Sequence, residues 1–234
     1  MPQTRATDGN SGDRPRPPAA PDHEAFVRAN TAVAVPPLTP EIRLHLASEV
    51  VPLWEASEEE LAAQGLPPPF WAFAWPGGQA LARYILDHPQ TVAGQRVLDF
   101  AAGSGLQAIA AALAGAARIE AGEIDPFAGA AIRLNAALNG AALEVVLDDL
   151  VGRDDGRWDV VLAGDVFYER PMAERVEPWL RRLAARGTLV LLGDPGRSYL
   201  PRNGLERLIA YSVKTSLDLE DTDVRNTVVW RLQA

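Results

Sequence analysis

From about Phe70 to the C-terminus, short apolar runs of strand length alternate with longer stretches whose apolar residues recur at helical spacing. Few folds accommodate that alternation, because parallel strands joined by crossover helices must share one sheet with helices on both faces. The pattern predicts strands over 95–100, 117–124, 143–147, 158–163 and 187–193, and helices over 77–88, 104–114, 126–139 and 172–185. The last apolar segments, 210–217 and 226–232, follow one another through an acidic turn with no helix between them, so an antiparallel hairpin should close the sheet. The expected fold is α/β, a doubly wound, mostly parallel seven-stranded sheet with a small N-terminal extension. A chain of 234 residues with 47% hydrophobic content can bury one such core, assigned here to residues 70–234.

Residues 1–21 mix Gly, Pro, Asp, Arg and Ser with almost no large apolar side chains, which predicts a disordered tail. Residues 22–69 read as an N-terminal lobe, with a short helix over 24–34, an edge strand over 42–46 and a second apolar run over 50–54. Ser57-Glu58-Glu59-Glu60 has capping-box spacing and should open a helix that Gly65 ends before Pro67-Pro68-Pro69. The chain has no cysteine and no apolar run in its first thirty residues, so neither a disulfide framework nor a signal peptide is expected, and a cytoplasmic setting fits. No segment approaches the roughly 18 apolar residues of a membrane span. A net charge of -9 argues against a nucleic-acid partner, because phosphate binders present clustered Lys and Arg.

The chemistry concentrates in Val97-Leu98-Asp99-Phe100-Ala101-Ala102-Gly103-Ser104-Gly105. A buried strand runs into small residues, Ala101, Gly103 and Gly105, where backbone can approach a ligand closely, and Ser104 can cap the following helix. About twenty residues on, at the distance expected in a βαβ unit, Glu123 ends the next strand and is placed to accept hydrogen bonds from ribose hydroxyls. A dinucleotide loop, as in an NAD-dependent oxidoreductase, would carry a third glycine to hold a pyrophosphate on the helix N-terminus. This loop lacks it and carries Asp99, a carboxylate that would repel a pyrophosphate but suits a sulfonium and an ammonium, as in S-adenosylmethionine (SAM).

Asp148-Asp149 ends the third strand, where a carboxylate can accept from an adenine amino group; Asp149 is preferred because Leu150 should turn back to the core, with Asp148 the alternative. Gly164-Asp165-Val166-Phe167-Tyr168 follows the fourth strand, at the sheet edge where ligands of open α/β folds bind. Asp165 can orient an incoming amine, and Phe167 and Tyr168 can wall a channel that strips water from a cation. In Phe70-Trp71-Ala72-Phe73-Ala74-Trp75-Pro76-Gly77, Trp75 and Gly77 stand beside the turn as cofactor-pocket residues. His23, His45 and His88 do not cluster, so no metal site or catalytic triad is expected.

Over roughly residues 70–234 these motifs resemble the class I, seven-stranded SAM-dependent methyltransferases. The run from Phe70 to Leu81, Asp125-Pro126 behind Glu123 with Asn135 further on, and Gly164-Asp165-Val166-Phe167-Tyr168 are similar to the electron transfer flavoprotein β-subunit lysine methyltransferases. That resemblance implies protein-lysine N-methylation, with the electron transfer flavoprotein β subunit as partner. It maps the family's Asp-x-Phe-Tyr signature onto Asp165, Phe167 and Tyr168, and its cofactor site onto Trp75, the loop from Asp99 to Gly105, and Glu123. Related bacterial sequences described as nicotinamide methyltransferases imply a small-molecule acceptor as the alternative. One departure stands out: Ala101 occupies the position of the first loop glycine, which is harmless at negative φ and strained at positive φ.

Overall fold

The computed structural model describes residues 22–47, 68–215 and 224–234. The expected tail, the apolar run over 50–54 and the helix opened by Ser57 lie outside the described residues. The expected helix over 24–34 is shorter. Helix α1 (His23–Ala29) is capped by Asp22, and it stops where Asn30 and Thr31 turn their side chains back onto the Phe26 and Val27 carbonyls. Those local bonds offer the backbone an alternative to another helical turn. Strand β1 (Ala32–Ala34) follows instead and pairs antiparallel with β2 (Leu44–Leu46).

The remaining elements alternate as the periodicity predicts. Helix α2 (Pro76–Asp87) precedes β3 (Arg96–Phe100), α3 (Leu106–Leu113), β4 (Arg118–Glu123), α4 (Pro126–Asn139), β5 (Glu144–Leu147), β6 (Val160–Gly164), α5 (Arg170–Ala185) and β7 (Leu189–Asp194). The hairpin β8 (Leu205–Lys214) and β9 (Val224–Leu232) closes a seven-stranded sheet of order β5-β4-β3-β6-β7-β9-β8, parallel through β7 and antiparallel beyond it. Strand β8 starts at Leu205, earlier than expected, because it is an edge strand: only one side pairs, charged residues such as Glu206 and Arg207 face outward, and the apolar signal is diluted.

Period-two alternation distributes the core to two faces. Val97, Val160 and Leu162 join Leu81, Ile85 and Ile109 on the α2–α3 face, whereas Leu98, Val161 and Ala163 join Trp179, Leu180 and Leu183 of α5 on the other. Each fully buried Leu or Ile contributes about 2 kcal/mol. A third cluster brings Val27 of α1 against Trp71, Phe73 and Phe127. Through it, and through the fully buried Ile42 and Leu44, the N-terminal segment packs on the α/β domain. Among the described residues no helix is long and apolar enough to cross a membrane.

Strand order reverses between β3 and β6: β4 lies on one side of β3 and β6 on the other. At such a switch point the loops leaving the carboxyl ends diverge and open a crevice.

Candidate active site

A cavity of about 600 Å³ occupies that crevice. Its wall includes Ala101 and Gly103 after β3, Glu123 at the end of β4, Asp149 after β5, Asp165 and Tyr168 after β6, and Trp75 before α2. Residues distant in sequence thus converge as expected. Gly77, Asp99, Gly105 and Phe167 do not line it.

Asp99 is fully buried, with one carboxylate oxygen accepting from Gln107 Nε2 at 3.0 Å and the other from the Ala108 backbone N–H at 2.8 Å. It caps α3 from the neighbouring strand, satisfying a first-turn donor where the helix dipole favours negative charge. Burial holds its carboxyl well above the usual range. The expectation that Asp99 faces a cationic ligand is therefore corrected. So is the expected cap by Ser104: the residue preceding α3 is Gly105, at φ +78°, with no side-chain cap. A Cβ at Gly105 would lie 3.1 Å from Ile132, so the glycine serves the turn and its packing against α4.

Asp165 has the same architecture. Its Oδ2 accepts from the Gly77 and Gly78 N–H groups, at 2.6 and 3.2 Å, and so caps α2, whose N-cap residue Trp75 provides no side-chain cap. Its Oδ1 accepts from Arg197 Nε at 3.1 Å and Nη2 at 2.7 Å. Unlike Asp99, it also faces the cavity. Burial pushes its pKa up to about 6 against the pull of Arg197. Gly77 belongs to this clasp: a Cβ there would lie 2.2 Å from the Gly193 carbonyl oxygen and 2.5 Å from Asp165 Oδ2. Its role is to let α2 approach β7, which replaces the expected place in the pocket wall.

Glu123 ties the cofactor loop to β4. Oε1 accepts from the Gly103 N–H at 2.9 Å and Oε2 from the Ile124 N–H at 3.0 Å, while burial raises its pKa. Ala101 stands at φ +53°, the strained case for a non-glycine residue. Asn135, fully buried, braces the loop from behind, donating to the Ser104 carbonyl at 2.8 Å and accepting from the His45 N–H at 2.7 Å. The β1–β2 ribbon thereby supports the loop.

The mouth is aromatic. Phe70 and Tyr168, each 43% exposed, meet edge to face at 5.7 Å, and Trp75 packs edge-on to Phe70 while donating to its carbonyl. Phe167 points the other way, into the core with 1% exposure, so of the expected channel pair only Tyr168 forms the wall. Asp148 and Asp149 both reach the cavity, Asp148 paired with Arg153 and Asp149 with Arg175 at 2.5 Å. The Arg175 guanidinium keeps the Asp149 carboxyl below its usual range. Leu150 turns back to the core, as expected.

Sequence reasoning missed Arg197 and Asp194. Asp194 ends β7 and accepts from the Gly196 and Arg197 N–H groups at 2.6 and 2.7 Å, and Arg197 lies with its guanidinium carbon 5.9 Å from the Trp75 ring centroid. The signal was present in Gly193-Asp194-Pro195-Gly196-Arg197, a strand end followed by a turn on the ligand side of the sheet.

Six acids, Glu123, Asp125, Asp148, Asp149, Asp165 and Glu169, line the cavity against two arginines, Arg175 and Arg197. That excess of carboxylates suits a ligand carrying an ammonium and a sulfonium and disfavours a pyrophosphate. Sheet order, switch point and cavity define a class I SAM-dependent methyltransferase. The fold is also that of magnesium protoporphyrin IX methyltransferase from Synechocystis PCC 6803 with bound SAM, with a TM-score of 0.50, 18% identity, and coverage of 68% of this chain and 80% of that one. Residues 80–193 match the ribosomal protein L11 methyltransferase family.

Over most of its length the chain resembles a narrower group. It is 41% identical over 215 residues to the electron transfer flavoprotein beta subunit lysine methyltransferase of Xenopus laevis, covering 89% of this chain and 86% of the relative. The Homo sapiens protein of that name is 37% identical over 227 residues, covering 91% and 83%. The chain belongs to the electron transfer flavoprotein β-subunit lysine methyltransferase family, and its cofactor is SAM.

Proposed function

We propose that this protein methylates the side-chain nitrogen of a lysine in the electron transfer flavoprotein β subunit. The observation that carries the reading is the pairing, at one end of an acid-lined cavity, of a buried carboxylate, Asp165, with the aromatic wall of Phe70 and Tyr168. The family's relatives, named for that subunit, support the choice of acceptor.

SAM supplies the methyl group from its sulfonium. Glu123 would hold the ribose hydroxyls, Asp149 or Asp148 the adenine amino group, and Trp75 with the Ala101–Gly103 backbone the amino-acid end. The acceptor lysine, with an ordinary pKa near 10.4, must lose a proton to solvent before its lone pair can attack. Phe70, Tyr168 and Trp75 exclude water from the amine and so disfavour its charged form. Asp165 pulls the other way electrostatically, and its part is to orient the amine so that the donor and acceptor atoms meet in line at about 3 to 3.5 Å. We assign residues 70–234 as the catalytic domain and the lobe before them as a support for the cofactor loop. The cysteine-free composition supports a cytoplasmic setting.

The test is incubation of purified protein with radiolabelled SAM and recombinant β subunit, followed by mapping of the label. Labelled lysine is expected, lost in Asp165→Asn, which keeps an oxygen for the Gly77 and Gly78 N–H groups, while SAM affinity stays within a few fold. An unlabelled β subunit together with labelled nicotinamide would overturn the protein-acceptor reading, and parallel loss of SAM binding and turnover in Asp165→Asn would overturn the role given to Asp165.

A further inference from the structure

A carboxylate offers about four acceptor positions, and on Asp165 four donors fill them: the Gly77 and Gly78 N–H groups on Oδ2, and Arg197 Nε and Nη2 on Oδ1. A carboxylate so occupied cannot also bind a lysine amine. The backbone donors are fixed by the first turn of α2, which Gly77 clamps against Gly193 with no room even for a methyl group. The displaceable partner is Arg197, a long side chain in the turn that follows β7.

We propose that Arg197 is a positioning residue that holds Asp165 until substrate arrives and then yields Oδ1 to the substrate lysine, turning its own guanidinium to Asp194. This rests on the role proposed above for Asp165.

Three features of the site support the exchange. Asp194 is buried, with 1% exposure; its Oδ1 accepts from the Gly196 and Arg197 backbone N–H groups, but its Oδ2 has no hydrogen-bond partner. A buried acceptor without a donor is costly, and here it belongs to the carboxylate that already holds the Arg197 backbone. Space is available beside the pair, in a second cavity of about 290 Å³ lined by Tyr168, Pro195, Gly196, Arg197, Ser198 and Arg225. Finally, the exchange conserves charge. The Asp165–Arg197 pair is largely buried, with side-chain exposures of 11% and 19%, and losing the arginine outright would leave an uncompensated buried carboxylate. A lysine ammonium that arrives as the guanidinium leaves keeps Asp165 paired until the amine gives up its proton for methyl transfer, and the site opens only to a cation of matching reach.

The experiment compares wild type, Arg197→Met and Arg197→Lys in initial-rate methylation of recombinant β subunit from about pH 7 to 9, a series that separates loss of the competing guanidinium from protonation of Asp165. With the competing guanidinium removed, Arg197→Met should lower KM for the β subunit about fivefold and leave KM for SAM unchanged, and Arg197→Lys should fall between it and wild type. A KM for the β subunit that is unchanged or raised in Arg197→Met, with wild type labelling lysine, overturns the exchange alone. If wild type labels no lysine, the proposed function fails and the exchange with it. Should Arg197→Met not fold, the wild-type protein still decides. Its Arg197 Nε–H resonance, assigned by its loss in Arg197→Lys, should shift when saturating β subunit is added with S-adenosylhomocysteine, and an unmoved resonance overturns the proposal.

Discussion

Ala101 adopts φ +53° and Asp165 φ +58°, and among the described residues no other non-glycine residue has positive φ. Both line the cavity. Aspartate tolerates the left-handed region through local hydrogen bonding, whereas alanine there is strained by about 1 kcal/mol relative to glycine. Ala101→Gly removes that strain but adds about 0.4–1 kcal/mol of chain entropy to the unfolded state. The expected urea midpoint is therefore unchanged or slightly raised. A loss of more than about 1 kcal/mol would mean that the Ala101 methyl group holds the cavity wall. That Ala101 stands at a glycine position was legible in the sequence. The sign of φ was not, because it depends on the loop's bond from the Gly103 N–H to Glu123, twenty residues away.

Among the described residues, two helices begin without a local side-chain cap and take one from the sheet or the loop leaving it. Asp99 caps α3 from β3, and Asp165 caps α2 from beyond β6 across 88 residues of sequence. Capping rules search the residues next to a helix start, which explains why Ser104 was expected to cap α3 and why the link between Asp165 and α2 left no trace in the local pattern. Elsewhere capping is local: Asp125 accepts from the Phe127 N–H at 2.8 Å to open α4, and Gly140 at φ +63° closes it. The clasp at α2 separates two adjacent glycines. A Cβ at Gly78 would be 3.9 Å from Gln107 Nε2, an ordinary contact, whereas one at Gly77 would collide with the Gly193 carbonyl. Gly78→Ala should raise stability by up to about 1 kcal/mol through helix propensity. Gly77→Ala should cost at least about 2 kcal/mol and reduce methylation as α2 shifts off Asp165. Equal thermal midpoints for the two variants would refute the close approach.

At the scale of the molecule, sheet and cavity are coupled through the strand ends, so a ligand that fills the cavity braces β3, β4 and β6 together. Binding to the folded state alone stabilises by about 2.7 kcal/mol at one hundred times Kd. Saturating S-adenosylhomocysteine should therefore raise the thermal midpoint by about 5–10 °C. No shift at any concentration would contradict the cofactor assignment. The sequence by itself determined the alternation of strands and helices, the seven-stranded sheet, and the convergence of the β3 loop, Glu123, Asp149 and Asp165 on one edge. Those follow from hydrophobic periodicity and chain connectivity, which are local. Only the tertiary structure decided which way the carboxylates point: Asp99 inward onto α3, Asp165 between α2 and the cavity, and Arg197 with Asp194 beside it. Those choices are made by contacts between residues far apart in the chain, where burial forces every charge and every helix-end donor to find a partner that no local pattern encodes.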